Sequence, residues 1–397
     1  MFKNRSICFM ADRHALYDDR IYWKMAVPLV KKGFLVHYVL IGEVDESGIT
    51  TEGVHFKIFK VKTFSKNRSL NFILKRLNPN NNYRLMLNEA KAIRADIYHF
   101  HDLWINRVGP KLKNLDHKPA VFYDAREPHA EDYRSYVKTS FPFLINLFAS
   151  WLDDWEKNRA KEYDLVIANE INVQQNFAKV IGQKRSVVLY NYVDMMHENT
   201  SIPYDEKIYD LIYCGAVTEL RGAFEILKAV KRIKETLPQI KVLLMGKYYP
   251  LSIKEDLQDY INKNNLSNHI ELRDAVPYKE VARYYQLSKV GLVLWKKVKT
   301  FEMCMPIKVF EYMAFGLPII GSDFGHIKDY IKKDSCGITV SPEDTQSIAS
   351  AILLLLKDHD LYQKYSENGL RASLIKYRWE LEFDKLLEYY KKALDDR

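Results

Sequence analysis

Short apolar runs of strand character alternate with longer segments of helical period along almost the whole chain, and the alternation breaks over residues 191–207. Residues 6–10 are apolar, 21–32 carry helical spacing and 35–41 are β-rich, which makes a β-α-β opening. Further strands are expected at 97–100, 120–123, 165–168 and 187–189. The aperiodic stretch gathers Asn, Ser, Pro and Asp, as a linker between domains does. The pattern then resumes with strands at 210–214, 241–245, 270–272 and 291–294, separated by helical patterns at 223–236, 253–264 and 279–287. Alternation of this kind builds mainly parallel sheets with helices on both faces, and 397 residues are too many for one core. The expected fold class is α/β: two Rossmann-like, doubly wound domains, residues 1–200 and 201–378, facing a central cleft, with a terminal segment over 379–397. In such sheets ligands sit beyond the carboxyl ends of the strands, so functional residues are sought in the loops that follow strands.

Composition narrows the function classes. Hydrophobic residues at 47%, charged residues at 28%, and only 15 Gly and 13 Pro leave no room for a disordered or fibrous class. Cys8, Cys214, Cys304 and Cys336 are scattered without a Cys-x-x-Cys pair, which argues against a disulfide framework or a zinc site and favours reduced thiols in the cytoplasm. The apolar run 7–11 is too short for a signal-peptide core, and 141–152 is too short to cross a bilayer. The net charge of +9 is uneven: residues 53–88 contain no Asp or Glu but hold Lys57, Lys60, Lys62, Lys66, Arg68, Lys75, Arg76 and Arg84, interleaved with Phe64, Leu70, Phe72 and Leu74. That stretch suits an anionic membrane surface, an acidic acceptor or simply a solvated face. No nucleic-acid module accompanies it, so nucleic acid is not an expected partner. Phe141, Leu144, Ile145, Phe148, Leu152 and Trp155 recur at helical spacing, the pattern of a core-packed helix or of one that touches a membrane.

The most informative segment runs from Met305 to Asp323: Pro306 near a helix start, a short helix, Gly316 as its stop, then Pro318 and a strand. Lys308 and Glu311 share a helical face, and Lys308 stands in the first turn, where the helix dipole disfavours a cation unless an anion is bound. Backbone N–H groups there would add phosphate donors, and Glu311 can accept from both hydroxyls of a ribose. By spacing alone the two residues read equally well as a surface ion pair. Arg221, after the expected strand at 210–214 and Gly215, is a second cation at a helix start. Asp358-His359-Asp360 reads as a helix boundary rather than a metal site, and no metal is expected.

These segments carry a resemblance. The stretch from Lys308 to Asp323 resembles the nucleotide-binding signature of family-four glycosyltransferases, retaining enzymes of the GT-B fold. Gly215 with Arg221-Gly222 is similar to that family's diphosphate loop, Asp274 to Tyr278, with Val276, to the segment beside the base, and Trp379 to the residue preceding a last helix that returns to the N-terminal domain. In the first half, Tyr98 to Asp102, Phe122 to Glu127 and the loop Asp12 to Arg20 resemble segments facing the acceptor. The resemblance implies a donor site of Gly215, Arg221, Val276, Lys308 and Glu311, with Asp18 and Arg20 for the acceptor, and His101, Asp124 and Arg126 around the reacting centre. On a strand over 97–101, His99 and His101 are assigned to opposite faces, with His101 toward the ligand. Two positions depart from the pattern. Met303 stands eight residues before Glu311, where the family keeps Glu, so Glu302, or the backbone from Met303 to Pro306, would meet the donor sugar. Arg126 replaces a family His, leaving that role to His129 or His101, while Arg126 itself could steady a phosphate or carboxylate.

The resemblance implies transfer of a sugar from a UDP- or GDP-type donor to a hydroxyl of a glycan or lipid-linked saccharide, with retention, without metal or cofactor, the nucleotide sugar being a substrate. The expected setting is cell-surface polysaccharide synthesis by a cytoplasmic protein in peripheral contact with the membrane. A sugar-nucleotide epimerase and a non-catalytic, membrane-associated partner subunit are the alternatives.

Overall fold

In the first half, β1 (Ser6–Ala11), β2 (Leu35–Gly42), β3 (Glu46–Ile49), β4 (His55–Lys60), β5 (Ile97–His101), β6 (Ala120–Ala125), β7 (Leu165–Ala168) and β8 (Ser186–Val188) form one sheet. Its order is β3-β4-β2-β1-β5-β6-β7-β8, and every pairing is parallel except that of β3 with β4. The central strands are near-continuous apolar runs because both faces are covered: Ile7 to Ala11 and all six residues of β6 are buried. The chain works outward from β1 to one edge, then restarts at β5 toward the other. The carboxyl ends of β1 and β5 are therefore the switch point, where an open α/β sheet leaves a crevice for a ligand.

The computed structural model describes residues 5–61, 80–137, 141–194 and 202–396. Two units emerge, Met1–Asn191 together with Glu380–Arg397, and Tyr192–Trp379. The division falls between Asn191 and Tyr192, inside the aperiodic stretch, rather than at residue 200. The second unit holds β9 (Tyr209–Cys214), β10 (Val242–Gly246), β11 (Ile270–Asp274), β12 (Ser288–Val293), β13 (Ile319–Ser322) and β14 (Gly337–Val340). These form a wholly parallel sheet, β11-β10-β9-β12-β13-β14, with its switch point at β9 and β12. Its core joins strand residues such as Leu211, Leu244 and Leu292 to helix residues such as Leu227, Val230 and Ile352.

Local chemistry explains three departures from the expected elements. The helical segment after β1 starts as a π-helix, Asp19–Ala26, in which Val27 N–H reaches Tyr22 O five residues back, before an α-helix over Val27–Lys31. Pro28 has no N–H for the carbonyl of Lys24, so the ordinary i→i−4 ladder is interrupted there. Of the expected apolar stripe along the helix Pro142–Ala160, Leu152 is buried and Ile145, Phe148 and Trp155 are half-buried, whereas Phe141 and Leu144 are exposed, as are Phe143, Leu147 and Trp151 outside it. His99 and His101 do not face opposite ways; their rings stack with centroids 4.6 Å apart. Side chains alternate with period two along a strand, so residues two apart share a face.

The last helix, Trp379–Asp395, supplies Phe383, Leu386, Leu387, Tyr390 and Leu394 to the buried interior, and Tyr390 Oη meets His99 Nδ1 at 2.5 Å. Asp358 caps the helix His359–Ile375 by accepting from Leu361 N–H. Half of the acid-free basic stretch 53–88, residues 62–79, lies outside the described residues. Among the described residues no helix is long and apolar enough to cross a membrane.

Candidate active site

In the second unit, β9 ends at Cys214 and the chain turns through Gly215 into a short 3-10 segment, Glu219–Arg221, capped by Thr218, whose hydroxyl accepts from Arg221 N–H. Gly222 then takes a left-handed conformation (φ 78°) before the helix Ala223–Ile233, and a Cβ there would lie 2.2 Å from Leu294 O. Only glycine meets both conditions. The guanidinium of Arg221 lies over Trp295 (5.1 Å) and Phe301 (5.7 Å), a cation–π seat that aims it without consuming its donors.

Pro306 precedes the helix Ile307–Ala314, so Lys308 does stand in its first turn. Lys308 Nζ donates to Glu311 Oε2 (2.6 Å) and to Tyr285 Oη (3.2 Å), and the Tyr285 hydroxyl in turn donates to Glu311 Oε2. Glu311 is only 9% exposed, so this is a buried network and not the surface pair that spacing alone allowed. Burial by itself would discharge Lys308, but Glu311 beside it outweighs that and holds the ammonium above its usual pKa. Because Oε2 takes both contacts, Oε1 of Glu311 has no partner among the described residues. A Cβ placed on Gly215 would find Lys308 Cε at 3.5 Å and Arg221 Nη1 at 3.8 Å. The two cations, 87 residues apart in sequence, thus converge on one point at the carboxyl end of β9.

Val276 follows β11 in a loop on the same edge of the sheet and is half-buried. Glu302 and Met303 end the short helix Lys299–Met303, with Glu302 directed to Lys297 at 3.9 Å and outside the Lys308 network. The sequence did not single out Tyr285, Trp295 or Phe301. Nothing in their spacing marks them, since they reach the site only through strand order.

In the first unit, Asp18, Asp102 and Arg126 follow β1, β5 and β6, and His14 joins them. Asp18 caps the π-helix, its Oδ1 accepting from the N–H of Arg20 and Ile21, while Oδ2 faces His14 Nδ1 at 2.8 Å. Asp102, at a positive φ of 76°, accepts from the N–H of Asp12 and Arg13 with Oδ2 and meets His14 Nε2 with Oδ1 at 3.0 Å. Burial alone would lower the His14 pKa, but the two carboxylates raise it to about 9. Asp102 is held at about 2, its burial outweighed by His14. Arg126 Nη1 stands 2.9 Å from His14 Nε2, and its nearest acid is Asp18 at 3.7 Å.

Three expected contact residues lie deeper than the resemblance implied. Arg20, His101 and Asp124 are all 0% exposed. Arg20 donates to both oxygens of Asp124 (3.0 and 3.5 Å) and to Leu189 O (3.1 Å), and His101 Nδ1 is 3.3 Å from Asp124 Oδ2. A fully buried Arg20 does not bind an acceptor, and Asp124 and His101 underlie the site rather than line it. The signal was available in part: Asp124 is the fifth of six residues in an otherwise apolar strand, and a buried acid requires a buried cation. His129 is half-buried beyond β6, where burial lowers its pKa. A separate cavity lined by Arg5, Asp96, Lys113 and Asp116 lies at the amino ends of the same strands, away from these groups.

Residues 197–372 match the family described as glycosyl transferases group 1. An uncharacterized glycosyltransferase of Methanocaldococcus jannaschii is 21% identical over 278 residues, 59% of this chain and 64% of that one, so the chain spans just under two thirds of that relative. The GDP-mannose:cellobiosyl-diphosphopolyprenol alpha-mannosyltransferase of Xanthomonas campestris is 22% identical over 311 residues, 76% of each chain. Among solved structures, Anabaena HepE in complex with UDP and glucose superposes with a TM-score of 0.71 at 14% identity, covering 98% of this chain and 100% of that one. The chain thus has the GT-B fold, and residues 197–372, all within its second unit, match the glycosyl transferases group 1 family.

Proposed function

We propose that the chain is a retaining, metal-independent glycosyltransferase that moves a sugar from a UDP- or GDP-sugar to a hydroxyl of a glycan or lipid-linked saccharide, in cell-surface polysaccharide synthesis. The observation that carries this reading is the convergence of Lys308 and Arg221 on Gly215 at the switch point of the second sheet. Two fixed cations there would stabilise the charge that develops on a departing diphosphate, as a metal does elsewhere, with no reorganisation during the reaction. Glu311 Oε1 would accept from the ribose hydroxyls, and Val276 would lie beside the base. Glu302, Met303 and Pro306 would border the sugar. Asp18, Arg126 and the loop after β1 would hold the acceptor, over the buried Arg20, Asp124 and His101.

Lys308→Ala and Glu311→Ala are each expected to weaken UDP or GDP binding by about 10- to 100-fold, the loss of one charge-assisted hydrogen bond of roughly 1.5–3 kcal/mol. Calorimetric titration checks this, and unchanged affinity in both variants would reject the donor site. Turnover is expected to survive EDTA, and the anomeric proton coupling of the product reads out retention.

The exposed face of Phe141, Phe143, Leu144, Leu147 and Trp151 supports a peripheral seat on the cytoplasmic side of a membrane, as does the lipid-linked acceptor in the name of the Xanthomonas relative. Leu147→Glu with Trp151→Glu should abolish co-sedimentation with anionic vesicles while leaving nucleotide binding intact.

A further inference from the structure

We infer that the first unit is built to recognise an oxyanion carried by a saccharide, a carboxylate or a phosphate ester, with Arg126 as the residue that receives it. The inference rests on the glycosyltransferase reading and deepens it by giving the chemical class of the group held at the switch point of the first sheet.

The argument is an accounting of donors and acceptors. Both oxygens of Asp18 are used, one by the N–H groups of Arg20 and Ile21 and one by His14. Both oxygens of Asp102 are used as well, one by the N–H groups of Asp12 and Arg13 and one by His14. Each nitrogen of His14 faces a carboxylate, so both carry hydrogen and neither can accept. Arg126 Nη1 nevertheless lies 2.9 and 3.3 Å from those same nitrogens, a guanidinium against an imidazolium. Its carboxylate neighbour Asp18 is at 3.7 Å, beyond a hydrogen bond. A mostly buried guanidinium, with a side chain 17% exposed and five donors in a fixed fork, therefore has no hydrogen-bond acceptor among the described residues.

Two features show that this arrangement is held rather than incidental. Asp102 keeps a positive φ of 76°, unusual for a residue with a side chain and found where the surroundings enforce it. The group also lies at the carboxyl ends of β1, β5 and β6, where the topology leaves room for a ligand. With the charges of His14, Asp18 and Asp102 engaged among themselves, an incoming oxyanion meets Arg126 with its fork free, the geometry suited to bidentate binding of carboxylate or phosphate. A neutral sugar hydroxyl would supply only a single weaker acceptor.

The test uses the full chain and saturation-transfer NMR with three probes: methyl glucuronide, glucose 6-phosphate and methyl glucoside. The expected result is binding of one or both anionic probes, with the neutral glucoside weaker by roughly tenfold or more. Preference between the two anionic probes separates a uronate from a phosphorylated sugar as the source. Arg126→Gln should lose the anionic preference and Arg126→Lys should keep part of it, while UDP or GDP titration of the same samples reports that the second unit remains folded. Equal binding of all three probes, no binding of the anionic ones, or an unaltered preference in Arg126→Gln would overturn the inference. A failed glycosyltransferase reading would show separately, as nucleotide affinity insensitive to Lys308→Ala.

Discussion

A carboxylate on each ring nitrogen decides the charge of His14, and the consequence is measurable. Its pKa rises from 6.5 in the unfolded chain to about 9 in the folded one, so the stability it contributes is complete below pH 6.5 and is lost as pH rises through 9. The amount is on the order of 3 kcal/mol. Urea unfolding followed from pH 6.5 to 9.5 should show the decline, and His14→Gln should flatten it. Asp12 acts lower on the scale: burial and Asp102 push it up to about 7, so its proton is lost before that of His14. At Asp124, burial would favour the neutral acid, but Arg20 and His101 outweigh it and hold the carboxyl well below its usual range. Asp124→Asn leaves Arg20 buried without its counter-charge and should cost roughly 3–5 kcal/mol, whereas Arg20→Met combined with Asp124→Leu should cost less; chemical denaturation of the two variants makes the comparison. Lys308 stood out in the sequence because a cation in a first helical turn is out of place without an anion, and it does stand in the first turn of Ile307–Ala314. Tyr285 and His14 were not, since an aromatic or a lone histidine carries no such contradiction.

Elements were legible where they are apolar and covered on both faces. The strands that escaped the pattern are short or poorly covered: β3 is Glu46–Ile49 with every residue exposed, β4 is His55–Lys60 with only Ile58 and Phe59 buried, and β14 is Gly337–Val340 with only its last residue buried. Their place comes from neighbours, β3 from pairing with β4 and β14 from pairing with β13. The turn from β9 into the helix Ala223–Ile233 shows an element whose geometry depends on one residue. Gly222→Ala places a Cβ 2.2 Å from Leu294 O at φ 78°, and the expected cost is about 1–3 kcal/mol from backbone strain alone, plus the clash. Because Arg221 precedes that glycine, nucleotide affinity should fall with stability, which thermal melts and calorimetry on the same variant would show.

For the whole molecule, the first unit is discontinuous, since Glu380–Arg397 belongs with Met1–Asn191. Removing residues 380–397 takes Phe383, Leu386, Tyr390 and Leu394 from the interior, at roughly 1.5–3 kcal/mol for each buried side chain. The truncated chain should lose the first unit's cooperative unfolding while still binding UDP or GDP, as hydrogen exchange and titration would report. The fold class and the aperiodic break between the halves could be read along the chain, because hydrophobic period is a local property that repeats from segment to segment. Only the tertiary structure decided which side chains meet. Lys308 with Tyr285, His14 with Asp102, Arg20 with Asp124 and Tyr390 with His99 are brought together by strand order and chain return, and no spacing along the chain encodes those distances.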